Sequence, residues 1–367
     1  MPSILNLHDY EAAAQEQLPQ MVFDYFAGGA NDELTLRENL AAWGRLRLRP
    51  RALVDVGTID LATTLLGERT DAPILTAPCS FNRMAHPDGE VGVARATRDA
   101  GLIQVVSMQA TATIEDIASV EGGRRWLQLA VLRDRGITRA LVERAEAAAY
   151  GAICVTVDVP VLGRRERDSR NGFRFPVGMS MVNLTPYTPV AMGDTDDISA
   201  LARFVNQLWD PTLTWDAIDW LCSITRLPVV AKGVLTAEDG RHAVDHGVRA
   251  VIVSNHGGRQ LDGALSTCAA LPDVAAAIGD QVDVLVDGGI RRGADIVRAL
   301  ALGARAALIG RPYLWALAVD GEAGVQTMLA MLRAELELAM ALVGVRTGRD
   351  VSRELLSETE KPDLRIV

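Results

Sequence analysis

Only four cysteines occur in the 367 residues, Cys79, Cys154, Cys222 and Cys268. They lie far apart, form no CxxC pair and have no histidine at zinc-ligand spacing, so no structural metal site is expected. They read as buried or free thiols in a reducing compartment. Positive charge is short as well: 37 Lys and Arg stand against 47 Asp and Glu, a formal net charge of −10 and a pI near 5.1. Such a balance supplies no basic face for nucleic acid or an anionic membrane. No apolar run reaches the roughly 18 residues of a membrane span. The opening residues, MPSILNLHDYEAAAQEQ, lack the basic and apolar regions of a secretory leader, which makes the cytoplasm the expected location. Neither GxGxxG nor GxxxxGK[ST] occurs, so no Rossmann dinucleotide site and no P-loop is indicated. A protein handling small molecules is what remains.

What the chain does have is a repeat of short apolar runs, each followed by a polar or Gly-rich turn and an amphipathic stretch. Eight candidate strands lie at 73–79, 103–108, 126–131, 152–158, 228–233, 250–255, 282–289 and 306–312. The runs are continuously apolar rather than alternating, as parallel strands covered on both faces should be. Helical spacing is read between them in VGVARATRDAG, GITRALVERAEAAAYG, TWDAIDWLCSITRL, TAEDGRHAVDHG and RGADIVRALALG. The expectation is an α/β fold, a single (β/α)₈ TIM barrel spanning 1–367. It carries a helical N-terminal extension over 1–50, a long segment at 159–213 after the fourth strand that is a candidate active-site lid, and a last helix at about 321–344. A polar tail at 345–367 is expected to wrap the barrel or meet another subunit.

In such a barrel chemistry sits at the C-terminal strand ends. Here those ends carry Ser107, Gln128, Thr156, Asp158, Lys232, Ser254, Asn255, His256, Asp287, Arg291 and Arg311. The last two strands end in DGGIRRG (287–293) and GRP (310–312). Glycines admit an anion close to the backbone, helix N-termini offer free N–H groups, and each turn adds an arginine, which together describe a phosphate site. After the sixth strand comes SNHGGRQLD (254–262). His256 can exchange a proton, and Arg259 can grip a carboxylate in bidentate fashion. Asp158 can orient the imidazole and stabilise its charged form. Lys232 ends an apolar strand and needs an anionic partner or a route to solvent. Arg164 and Arg165 both enter the long insert, and either could reach a carboxylate. His8, His242 and His246 read as surface residues, and His86 as a turn or packing residue.

These segments resemble the FMN-dependent 2-hydroxy-acid oxidases and dehydrogenases, the family of glycolate oxidase, lactate oxidase and mandelate dehydrogenase. The resemblance runs nearly end to end, through FDYFAGGANDELTLREN, ILTAPCSFNRMAHPDGE, TVDVPVLGRRERD, VVAKGVLTAED, SNHGGRQLD and DGGIRRGADIVRALALGA. It implies that FMN is the cofactor and that a 2-hydroxy acid is oxidised to a 2-oxo acid. His256 is then the active-site base paired with Asp158, Arg165 and Arg259 hold the substrate carboxylate, and Tyr25 lines the pocket. Lys232 would stabilise the reduced, anionic ring. Ala77, Pro78, Ser107, Gln128, Thr156 and Ser254 would contact the ring and ribityl chain, and Asp287, Gly289, Arg291, Gly310 and Arg311 the ribityl and phosphate end. Oxygen or another electron acceptor would follow, and the resemblance also implies a homo-oligomer, a tetramer or octamer.

The sequence departs from that family where a pocket tyrosine is usual in a QLY pattern, reading Gln128-Leu129-Ala130 instead, and also at Gln109 and Ser80. The departure at Ala130 predicts a substrate with a bulky side chain. It also leaves open a flavin oxidase acting on an amine or a biosynthetic intermediate, or a flavin-binding protein without turnover.

Overall fold

The computed structural model describes residues 4–176, 178–187 and 207–358. Eight parallel strands form a closed barrel: β1 (Ile74–Thr76), β2 (Ile103–Ser107), β3 (Arg124–Leu129), β4 (Ala152–Thr156), β5 (Val229–Val234), β6 (Ala250–Val253), β7 (Asp283–Val286) and β8 (Ala306–Ile309). Each strand pairs with the next in sequence, and β8 closes on β1 through Ala307 opposite Ile74. All eight expected runs are strands of this barrel.

The apolar runs have no polar face because each strand is covered twice. Leu75, Val105, Trp126, Cys154, Val230, Ile252, Leu285 and Leu308 belong to a cluster of their own that fills the barrel. The intervening side chains, among them Val106, Leu127, Val155 and Val253, pack outward against the helices in a second, larger cluster. Period-2 alternation therefore separates two cores rather than core from solvent.

Helices return the chain between strands. They include α4 (Gly89–Asp99), α6 (Arg135–Ala147), α9 (Ala237–Asp245) and α11 (Gly293–Ala301), preceded by the extension helices α1 (Leu7–Gln17), α2 (Gln20–Ala27) and α3 (Leu34–Arg45). The short helices α5 (Ile114–Ala118), α7 (Glu166–Arg170) and α8 (Asp216–Ser223) complete the early connections. Their starts are chemically marked. Thr236 caps α9 by accepting from Asp239 N–H, and Asp134 caps α6 by accepting from Gly136 N–H.

Two features differ from expectation. Helix α10 (Thr267–Ile278) joins β6 to β7 where no helix is read from the sequence, because Pro272 interrupts its pattern. The last helix, α12, runs from Arg311 to Val343 rather than starting near 321. Its break at Asp320 and Gly321, which leave helical geometry, is what makes the sequence look like a loop followed by a helix. The described part of the tail folds back: Leu356–Glu358 pairs antiparallel with Leu46–Leu48, at the end of α3. Residues 177 and 188–206 of the expected lid lie outside the described ones, as does the end of the tail.

Candidate active site

At the C-terminal face of the strands lies a cavity that opens to solvent. It is lined by Tyr25, Ala77, Pro78, Ser107, Gln128, Ala130, Thr156, Arg165, Lys232, His256, Arg259, Asp287, Gly289, Arg291, Gly310 and Arg311. Of the residues nominated from sequence, Arg164 and Asn255 do not line it, and neither do Asp158 and Ser254. The last two stand directly behind side chains that do.

His256 is held by its turn. It sits at φ +57, a left-handed conformation that costs a side-chain-bearing residue energy, and is followed by Gly257 at +65 and Gly258 at +74. Asn255 closes the turn by accepting from Gly258 N–H at 3.1 Å. The Asn255 amide exchanges two hydrogen bonds with Asn39 of α3, each 2.8 Å. The N-terminal extension thus braces the histidine turn, and Asn255 is a structural residue rather than a chemical one.

Behind the imidazole, His256 Nδ1 lies 3.1 Å from Asp158 Oδ1. Burial pushes His256 below its ordinary pKa, against the raising effect of Asp158 and with help from Lys232 and Arg165. Burial works against the Asp158 carboxylate too, but the attraction and hydrogen bond of His256, then Lys232, hold it lower than usual. An ionised carboxylate only accepts, so Nδ1 carries the proton and Nε2 is left as a free base.

Asp158 reaches that place because Gly233 makes room. The pairing of β5 with β6 slips between Lys232 and Val234, and Gly233 stands at φ +115. A Cβ there would come within 2.6 Å of the Asp158 side chain.

Lys232 finds its anionic partner inside the protein: Nζ lies 3.0 Å from Asp287 Oδ2 and donates to Ser254 Oγ at 2.9 Å. Burial opposes its charge, yet Asp287 and Asp158 hold it above its ordinary pKa, so it stays cationic. Thr156 accepts from Gln128 Nε2 at 3.0 Å, and Ser80 lies 3.2 Å from Ser107 and 2.9 Å from Gln109 Oε1.

The arginines give the cavity its character. Arg259 donates to the carbonyls of Tyr25 and Gly28 and lies 5.3 Å from the Tyr25 ring centre. Arg311 donates to Phe26 O, Gly257 O and Gly28 O. Burial, then Arg259, pushes Arg165 down to about 10, and burial, then Arg259 and Arg291, pushes Arg311 down to about 9. Arg165, Lys232, Arg259, Arg291 and Arg311 thus face one cavity in which Asp287 is the single lining carboxylate among the described residues, inside a protein of net charge −10. Among the described residues, buried Asp158 Oδ2, Arg165 Nε, Asp287 Oδ1 and Arg291 Nε have no hydrogen-bond partner. The two guanidinium nitrogens are donors that call for acceptors, and the two carboxylate oxygens are acceptors that call for donors. A ligand with a phosphate and a polar chain, together with a second carboxylate ligand, fits that donor set.

Sequence reasoning missed one wall of the cavity. Trp209, near the end of the long insert, lines it beside Phe81, Val159 and Leu162. The start of the insert also packs on the site, with Phe173 stacked on Tyr25 at 4.4 Å. No periodic pattern marks these residues, since they lie in irregular chain. Arg164, by contrast, is exposed and paired with Glu166, so of the two insert arginines only Arg165 enters the cavity.

Comparison with known proteins gives the same picture. The model of the family described as FMN-dependent dehydrogenase matches residues 14–358. An L-lactate oxidase from Nostoc sp. is 48% identical over 358 residues, covering 96% of this chain and 98% of that protein. The glycolate oxidase of Spinacia oleracea is 46% identical, covering 99% of each. A crystal structure of mandelate oxidase with (S)-4-hydroxymandelic acid superposes with a TM-score of 0.91 at 42% identity, covering 96% of this chain and 98% of the other.

Proposed function

The chain belongs to the FMN-dependent dehydrogenase family, and from that premise we propose that it oxidises a 2-hydroxy acid with a bulky side chain to the 2-oxo acid. The observation that carries the proposal is the meeting, in one cavity, of a neutral histidine backed by Asp158 with two half-buried arginines, Arg165 and Arg259. A base beside a carboxylate clamp acts on the carbon next to the carboxylate.

In this reading Arg165 and Arg259 take the substrate carboxylate, which supplies the anion that their burial demands. His256 Nε2 accepts the proton that leaves the substrate, and Asp158 stabilises the imidazolium so formed. Tyr25 covers the pocket. When bound, FMN supplies the two-electron acceptor. Asp287, Gly289, Arg291, Gly310 and Arg311 would hold its ribityl phosphate, while Ala77, Pro78, Ser107, Gln128, Thr156 and Ser254 would meet its ring and chain. Lys232 keeps a fixed positive charge at the cavity floor, where negative charge arriving on the ring would be stabilised.

The bulky side chain is supported by Ala130, which brings only a methyl group to the cavity wall. The same reading includes a homo-oligomer in the cytoplasm, with oxygen or another acceptor closing the cycle. Among the described residues no helix is long and apolar enough to cross a membrane. Anaerobic mixing with a panel of 2-hydroxy acids is the test. Bleaching of the flavin by at least one of them is expected, and no bleaching by any would remove the proposal.

A further inference from the structure

Ala130 directly follows β3 at the cavity wall, and the structure brings another residue to the same place. Trp209 pairs antiparallel with Leu132, two residues beyond Ala130. The segment is fixed on both sides of the tryptophan. Arg133 N–H donates to Leu208 O at 2.9 Å, and Arg135 Nη2 donates to Asp210 Oδ2 at 3.1 Å. Directly paired residues share a face, and the diagonal neighbour two positions away lies roughly 7 to 8 Å off, within reach of an aromatic side chain. Trp209 is therefore presented on the face that carries Ala130. It is 7% exposed, and both residues line the cavity.

We infer that Trp209 sets the side-chain selectivity of this site, its indole forming the aromatic wall that Ala130 does not supply. The inference rests on the hydroxy-acid reading above. An indole face offers a large apolar surface, so an aromatic or branched substrate side chain gains contact there while a methyl reaches little of it. Ala130 itself offers no hydrogen bond in exchange, because it has no polar side-chain atom.

The test uses the FMN-loaded enzyme and two substrates, mandelate with a phenyl side chain and lactate with a methyl. Trp209→Ala should lower the mandelate-to-lactate ratio of kcat/KM by roughly tenfold, the loss expected when an aromatic contact and the apolar area it covers are removed. Calorimetric binding of the two corresponding 2-oxo acids should shift in the same direction. Trp209→Phe, which keeps an aromatic face, should hold the ratio within about threefold and guards against a folding defect in the alanine variant. Ala130→Tyr should change the ratio by a different factor in the Trp209→Ala background than in wild type, because both side chains compete for one volume. A ratio unmoved by Trp209→Ala, or effects that simply multiply, would overturn the inference. If wild type oxidised neither these nor any other hydroxy acid, the functional reading itself would fail, a result distinct from an unchanged ratio.

Discussion

Arg259 and Arg311 donate to the same oxygen, the carbonyl of Gly28, at 2.8 and 2.9 Å. In the proposed function these arginines take different anions, a substrate carboxylate and a cofactor phosphate, yet the fold sets them side by side. Two guanidiniums on one carbonyl repel each other, and bound anions relieve that repulsion.

Loss of either phosphate-side arginine is expected to weaken FMN. Arg291→Ala or Arg311→Ala removes a charge-assisted contact of roughly 1.5 to 3 kcal/mol, or about ten- to a hundredfold in Kd. Arg311→Ala should also change the KM of the hydroxy acid, through its shared partner with Arg259, whereas Arg291→Ala should not. Equilibrium dialysis against FMN and steady-state kinetics at saturating FMN separate the two effects. Unchanged FMN affinity in both variants would refute the phosphate assignment.

Arg259→Lys keeps a positive charge but loses the planar fork: Nη1 alone holds Tyr25 O and Gly28 O, and a lysine has no second nitrogen with which to grip a carboxylate. The substrate KM should rise by about an order of magnitude or more, with FMN still bound. A KM at the wild-type value would place the carboxylate elsewhere.

His256→Ala should slow anaerobic flavin reduction by at least about a hundredfold, the usual contribution of a positioned general base, while leaving FMN in place. The pH dependence has a definite sign. Burial holds the His256 pKa below its ordinary value, so the active neutral form persists as pH falls through 6.5 and is lost only below it. Asp158→Asn removes a group that raises that pKa. The acid limb should move further down while the plateau rate also drops, since the imidazolium loses its carboxylate. Stopped-flow reduction from pH 5 to 8 checks both, and an acid limb displaced upward in Asp158→Asn would contradict the assignment.

Gly233→Ala places a methyl group within 2.6 Å of the Asp158 side chain at a φ of +115. The variant should be destabilised by roughly 1 to 3 kcal/mol from backbone strain, and it should reduce flavin more slowly because Asp158 is driven from His256. Thermal melting and reduction kinetics measure the two. A variant with wild-type values of both would show that the slip between Lys232 and Val234 does not position the aspartate.

The barrel was legible because its code is local. Each buried run is apolar on both faces, each is followed by an amphipathic return, and the polar strand ends single out the chemical residues without knowledge of any neighbour. The pairing of His256 with Asp158 was legible only through the rule that strand ends converge at one face. Local reading failed where local chemistry misleads, at α10 because of Pro272 and at the start of α12 because of the break at Asp320 and Gly321.

What only the tertiary structure decided are contacts between segments that periodicity does not connect. The Asn39–Asn255 exchange, the carbonyl of Gly28 under two arginines, the ion pair of Lys232 with Asp287 and the delivery of Trp209 to the wall beside Ala130 are of this kind. A hydrophobic pattern states that a face must be buried, but it does not say which distant residue buries it. That is settled when the barrel closes and the extension and insert pack across its open end.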